Sequence, residues 1–356
     1  MKSSGNMVKS VAIIGAGPSG AIAAAALKAE NYFDNIRVFE RRETAGGTWI
    51  HDPDPGPPIV VKPGKLPDET DPHIEIPHNI PVTTLPDRRN RWQTTPVYDS
   101  LSTNIPNTVM TFSDARLPYG PFAPHYITRQ YVENYFALHQ TDTFLQMNTT
   151  LEDLTRLPVA QRKGRCEWKL TLRKYDAARQ VDVWWEEFFD AVVLANGHYA
   201  IPYVPQVNGL EKYIDRYPGR VSHSKRYRTP EPYAGRRILI VGNSVSGREL
   251  SEELVGIATG PVYVSRRSPS VWDGDEPPPG IEWKPIITDY KEDGTIVFVD
   301  GTTLTGINSV IYCTGYKPSF PFWNEESNGG SPLFDYHANR LASPELSRFA
   351  ASSTRR

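Results

Sequence analysis

At 356 residues the chain is long for one ordinary domain and predicts two, at about 150 residues each. With 39% hydrophobic and 22% charged residues it can bury a sizeable core, which argues against disorder, and a net charge of −2 argues against a nucleic-acid or anionic-membrane binder. Cys166 and Cys313 lie far apart and make no CxxC pair, so a disulfide framework, a zinc cage or a dithiol centre is not expected, and a reducing, cytoplasmic setting fits best.

In chain order, the uncharged run Val11 to Leu27 is broken by glycines and Pro18 and is too short and weakly apolar to span a bilayer, so neither a targeting segment nor a membrane span is expected. Residues 11–14 predict a short strand that ends in Gly15-Ala16-Gly17-Pro18-Ser19-Gly20, followed by an alanine-rich helix to Ala29. A second strand, Ile36–Phe39, closes on Glu40. Strand, glycine turn, helix, strand and acid in this register form a dinucleotide fingerprint. Gly15 permits the tight turn, Gly17 leaves room for a pyrophosphate, and Gly20 lets the helix pack on the strand. The helix N-terminus offers N–H groups to the phosphates, and Glu40 is placed for a ribose.

Residues 52–99 are proline-rich, with little periodicity, and predict a functional lid or a mobile insertion. From Cys166 to Arg173 apolar and polar residues alternate as in a half-buried antiparallel strand, and a second strand over about Val181–Phe189 follows a polar turn. In that second strand Trp184, Trp185, Phe188 and Phe189 predict sheet packing. The apolar run Ala191–Leu194 leads into a turn where His198 and Tyr199 are candidates to line a cofactor cleft or simply to form the turn. The strand–turn–helix–strand plan then repeats: Arg237–Val241, Gly242-Asn243-Ser244-Val245-Ser246-Gly247, a helix to about Val255, and Val262–Val264. Ser244 stands where the middle glycine would be. At the end of the second strand stand Arg266 and Arg267 rather than an acid, which favours a 2′-phosphate and hence NADP over NAD. Asp293-Gly294 and Asp300-Gly301 signal hairpins before the strand at Val310.

Together, Gly15–Gly20, Gly46-Gly47-Thr48-Trp49, Leu101-Ser-Thr103-Asn104-Ile-Pro106 with Met110, Gly242–Gly247 and Cys313-Thr-Gly-Tyr316 resemble the flavin-containing monooxygenase family. Tyr217-Pro-Gly219-Arg-Val-Ser-His223-Ser-Lys-Arg-Tyr227 is similar to its identifying pattern FxGxxxHxxxY, with tyrosine at the first position. The resemblance covers about residues 8–320. It implies an α/β fold of two Rossmann-like domains, each with a small antiparallel meander: an FAD-binding domain at 1–215, an NADP-binding domain at 216–317, and an incomplete return to the first domain with a polar tail at 318–356. It also implies FAD reduced by NADPH, a C4a-hydroperoxide formed with dioxygen, and transfer of one oxygen to a soft nitrogen or sulfur of a small molecule. Gly15–Ser19, Glu40, Gly47, Thr48 and Trp49 would hold FAD. Thr103 and Asn104 would lie at the flavin edge and contact both cofactors, with Asn104 as the catalytic donor, because a neutral amide donates to a peroxide without releasing a proton. Gly242, Ser244, Val245, Ser246, Gly247, Arg266 and Arg267 would hold NADPH, and His223 would be architectural.

Tyr227, where Baeyer–Villiger relatives carry tryptophan, favours heteroatom oxygenation. The family's closing segment is not found after Tyr316, and its absence would leave a sheet edge and the flavin pocket open. The alternatives are a shortened, inactive nucleotide-binding relative, Baeyer–Villiger oxygenation, and a flavin disulfide reductase, against which the missing CxxC counts. A homodimer is compatible with all of these readings.

Overall fold

The computed structural model describes residues 8–86, 94–164, 166–271 and 273–342. Strand β1 (Ser10–Ile14), helix α1 (Pro18–Ala29) and strand β2 (Asn35–Phe39) follow the order read from the sequence. The middle and end of β1 are apolar, as in a strand buried on both faces. Ala12 and Ile14 enter one core with Phe39, Leu154, Leu170 and Phe189, while Ile13 enters a second with Ala21, Ala24 and Val38. The insertion contributes the short helix α2 (Pro67–Thr70) and strand β3 (Val82–Thr84). Helix α3 (His125–Leu138) adds Val132, Tyr135 and Phe136 to the α1 side of the sheet.

Strand β4 (Leu145–Gln146) pairs with β2, and β5 (Thr149–Arg156), β6 (Trp168–Asp176) and β7 (Val181–Phe189) form the expected antiparallel meander. Its apolar face covers the second side of the parallel sheet. Trp184 and Phe189 are buried, as their reading as sheet residues predicts. The chain then returns in β8 (Ala191–Leu194), giving the parallel order β4-β2-β1-β8. Among the described residues β8 is the outer edge, and all four of its apolar residues are only half-buried.

The described part of the insertion is fastened to its surroundings. Strand β3 extends the meander through β7, and Trp184 Nε1 donates to Thr84 Oγ1 at 3.0 Å. Residues 87–93 of the insertion and the polar tail 343–356 lie outside the described residues.

A two-stranded ribbon carries the chain between the units: β9 (Ile201–Pro202) on the way out and β18 (Tyr316–Lys317) on the way back. Between them lie α4 (Leu210–Arg216), β10 (Val221–His223), β11 (Ile238–Val241), α5 (Val245–Leu254), β12 (Val262–Ser265), β13 (Ile281–Lys284), β14 (Ile287–Tyr290), β15 (Ile296–Phe298), β16 (Thr303–Leu304) and β17 (Ser309–Tyr312). Five of these strands make a parallel sheet in the order β10-β17-β11-β12-β13, and β14-β15-β16 make the small second meander. Leu210 and Tyr213 of α4 are buried with Leu239, Tyr290 and Val310, so the chain leaves the first unit near residue 200, ahead of the expected boundary at 215. Beyond β18, Phe322 is buried in the first unit with Ala12 and Leu151, and Leu154 N–H donates to Phe322 O at 2.8 Å. The hairpin β19 (Phe334–Asp335) and β20 (Arg340–Leu341) closes the described chain.

Candidate functional site

Each unit presents a glycine elbow at the C-terminal end of a central strand, and the two elbows are near copies. In the first, Gly15 has φ +107°, a region open mainly to glycine. A Cβ there would stand 2.5 Å from Ala195 O, and one at Gly20 would stand 2.0 Å from Gly15 O. In the second, Gly242 has φ +110°; a Cβ would stand 2.6 Å from Cys313 O, and one at Gly247 would stand 1.9 Å from Gly242 O. Gly17, at the N-cap of α1, has φ −82° and ψ −170°, and Ser244, at the N-cap of α5, has φ −79° and ψ −169°. That backbone suits any residue, which explains why serine fits in place of glycine.

A second loop closes on the first elbow. Gly46 N–H donates to Ala16 O at 3.0 Å, and Gly47, at φ +59°, approaches so closely that a Cβ would lie 2.7 Å from Gly17 Cα. The short helical turn Gly47–Trp49 brings Thr48 and Trp49 to this loop. Glu40 is buried; one carboxylate oxygen accepts Ala16 N–H at 2.7 Å and the other accepts Arg42 N–H at 2.9 Å. Each oxygen keeps a further lone pair for a ribose hydroxyl. A crevice walled by backbone, at the N-terminus of a 12-residue helix and beside a buried carboxylate, fits a dinucleotide.

At the second elbow the arginines part company. Arg267 is exposed. The Arg266 guanidinium lies 3.5 Å from the Trp283 ring centroid, and its Nη1 donates to Asp273 Oδ2 at 2.7 Å.

The segment 98–104 spans the two elbows. Tyr98 donates through its hydroxyl to Glu249, and Ser100 Oγ donates to Glu253 at 3.1 Å, both acceptors on α5. At its other end, His125 N–H at the start of α3 donates to Leu101 O at 3.0 Å. Thr103 is clamped twice to Ala123: its N–H donates to Ala123 O at 2.8 Å, and its hydroxyl accepts Ala123 N–H at 3.0 Å. Asn104, next to it, is exposed. His51, just after Trp49, joins the same segment with its Nε2 2.9 Å from Asp99 Oδ1, and its ring lies 4.9 Å from that of His125. Burial, and then the nearby His51, hold the His125 imidazole below its usual range.

Over residues 88–272 the chain matches the flavin-binding monooxygenase-like family, and over residues 13–70 the NAD(P)-binding Rossmann-like domains. It is 30% identical over 354 residues to the flavin-containing monooxygenase FMO GS-OX5 of Arabidopsis thaliana, covering 95% of this chain and 68% of that protein. The chain belongs to the flavin-binding monooxygenase family. FAD and NADPH are therefore its cofactors. The solved S-allyl-L-cysteine S-oxygenase from Allium sativum superposes with a TM-score of 0.69 at 29% identity, covering 94% of this chain and 67% of that one. The bacillithiol disulfide reductase of Staphylococcus aureus superposes with a TM-score of 0.54 at 15% identity, covering 88% of this chain and 78% of that one, a likeness of fold alone.

Within this monooxygenase, His223 sits at the join of the two units, where its architectural reading puts it. It is buried; Nδ1 accepts Lys225 N–H at 3.1 Å and Nε2 donates to Gly315 O at 3.0 Å. Burial pushes its imidazole down to about 3; the Gly315 carbonyl opposes this and the Lys225 cation adds to it. The unfolded chain therefore takes up a proton near pH 6.5 that the folded one refuses, so this group's stabilisation is complete above pH 6.5 and is lost as pH falls towards 3. We expect His223→Gln to lower the urea midpoint at pH 7.5 and the gap from the parent to narrow by pH 5; a gap that stays constant contradicts the neutral ring.

Lys225, Arg226 and Arg228 were given no role of their own in the sequence. Arg228 is buried and donates to four backbone carbonyls: Asp52 O at 2.5 Å, Thr95 O at 3.0 Å, Lys225 O at 2.9 Å and Tyr227 O at 2.7 Å. Arg226 Nη1 reaches Gly56 O at 2.6 Å. Lys225 is buried, donates to Ala200 O at 2.5 Å, and is pushed down to about 7 by burial and then by Arg41 and Arg228. The end of the identifying motif and Arg228 just after it thus bind the ends of the proline-rich insertion to the domain join. Tyr227 packs inside the second unit, edge-on to Tyr98 and stacked on Tyr233. His198 and Tyr199 are exposed on the turn after β8. Among the described residues no helix is long and apolar enough to cross a membrane.

Proposed function

We propose that the monooxygenase transfers one oxygen atom to the sulfur of a small thioether, with FAD held by Gly15–Gly20, Glu40 and Gly47–Trp49 and NADPH by Gly242–Gly247, Arg266 and Arg267. The observation that carries this reading is the segment 98–104, fastened to α5 of the second elbow and to α3 beside the first. Similarity to an S-allyl-L-cysteine S-oxygenase supports sulfur as the acceptor. When bound, FAD reduced by NADPH activates dioxygen and supplies the transferable oxygen.

The chain's own residues bind, orient and protect. The free N–H groups at the start of α1 and α5 meet the cofactor phosphates. Thr103 spends its hydroxyl on Ala123 N–H and so fixes the turn. This leaves Asn104 to present a carboxamide donor that carries no acidic proton. The experiment supplies FAD-loaded protein with NADPH, oxygen and S-allyl-L-cysteine, and counts sulfoxide and hydrogen peroxide against the NADPH consumed. Sulfoxide matching the NADPH supports the reading; peroxide accounting for all of it, with no sulfoxide, overturns it. Asn104→Ala is expected to reduce product per NADPH by about 100-fold or more, a typical loss for one preorganised donor, with FAD still bound. Unchanged coupling in that variant would remove Asn104 from the role.

A further inference from the structure

Three donors converge on a single oxygen beside the second elbow. Asp273 Oδ2 accepts from Arg266 Nη1 at 2.7 Å, from Ser270 N–H at 2.7 Å and from Asn243 Nδ2 at 3.1 Å. Asn243 belongs to the elbow itself, between Gly242 and Ser244, and it also donates to Ser268 O at 2.9 Å, which ties Ser268 back to the elbow. Burial alone would raise the Asp273 carboxyl, but the Ser270 N–H, Arg266 and Asn243 outweigh it and hold the group ionised. A guanidinium, a side-chain amide and a backbone N–H around one anionic oxygen are a donor set suited to a phosphate monoester. A phosphate carrying nearly two negative charges cannot share these donors with a carboxylate at the same point.

We propose that Asp273 is a built-in stand-in for the 2′-phosphate of NADP(H), whose carboxylate ties Ser270 to Arg266 and Asn243 until the 2′-phosphate displaces it from those two side chains. The inference rests on the assignment of Arg266 to that phosphate. NAD(H) brings no group that competes for these donors, so it leaves these contacts in place. Breaking these contacts weakens NADP(H) affinity alone, and what is released on binding is Asp273 and residues 268–271 next to the second elbow.

The test measures NADP⁺ and NAD⁺ dissociation constants by titration calorimetry on the full, FAD-loaded chain and on its Asp273→Asn, Asp273→Ala and Arg266→Ala variants, with amide hydrogen exchange over 268–271. Removing the resident anion should tighten NADP⁺ about tenfold in both Asp273 variants and move NAD⁺ less than about twofold. In the parent, saturating NADP⁺ should speed amide exchange across residues 268–271, which lose their ties to Asn243 and Arg266, and NAD⁺ should not. Asp273 variants that bind NADP⁺ more weakly, together with slower exchange on NADP⁺ binding, would show that the carboxylate braces Arg266, and would overturn the stand-in. If Arg266→Ala leaves the NADP⁺ to NAD⁺ ratio unchanged, the underlying assignment itself fails, an outcome distinct from the others.

Discussion

Gly47→Ala is expected to abolish FAD retention while the far-ultraviolet circular dichroism of the chain stays that of the folded protein. Gly47 stands at φ +59°, where an L side chain costs about 1–2 kcal/mol. The larger effect is steric. The added methyl would lie 2.7 Å from Gly17 Cα, and backbone cannot step aside as a side-chain tip can. The Gly46–Trp49 loop must then swing off the elbow and widen the crevice between them. Removing that preorganised backbone should weaken FAD by about 100-fold or more, the scale on which misplacement of about 1 Å acts at such sites. Gly256→Ala is the control, because its Cβ would meet nothing within 4 Å and its φ is ordinary. Yellow Gly47→Ala protein with parent-like FAD affinity would show that the cofactor lies elsewhere.

Arg228→Ala carries the largest expected cost in stability. Its guanidinium donates to carbonyls of Asp52, Thr95, Lys225 and Tyr227, which come from both ends of the insertion and from the identifying motif. Truncation leaves these buried acceptors without their shared donor. Charged hydrogen bonds of this kind are worth about 1.5–3 kcal/mol each, and losing several together should destabilise by about 3–5 kcal/mol. Arg228→Lys should recover only part, because one ammonium cannot reach four carbonyls in the guanidinium's fork. Because the residue joins the insertion to the domain join, limited proteolysis should cut within residues 52–99 well before global unfolding. Parent-like urea midpoints and unchanged cleavage in both variants would contradict the clamp.

Legibility in the sequence followed the range of the contacts. The fingerprint glycines were readable because their requirement is local: Gly15 and Gly242 turn the chain at positive φ, and Gly20 and Gly247 each pack on the carbonyl of the residue five positions earlier. The meander of β6 and β7 was readable from its alternation, and its hairpin pairs Trp168 with Phe189 through Asp176 with Val181. The boundary near 215 came out late because α4 has no local feature that assigns it to either unit; the burial of Tyr213 against Tyr290 decides it. Arg226 and Arg228 escaped notice because their partners lie as far back as Asp52 and Gly56.

By itself the sequence determined two glycine elbows, their strands and helices, and the family, since each depends on residue types at short, fixed spacing. Only the tertiary structure decided that Arg266 stacks on Trp283 and is held by Asp273, that Arg228 clamps the insertion, and that Asn104 stands exposed beside a fixed Thr103. Which charge meets which partner is set by packing between segments that are not adjacent along the chain, and no fixed spacing encodes that choice.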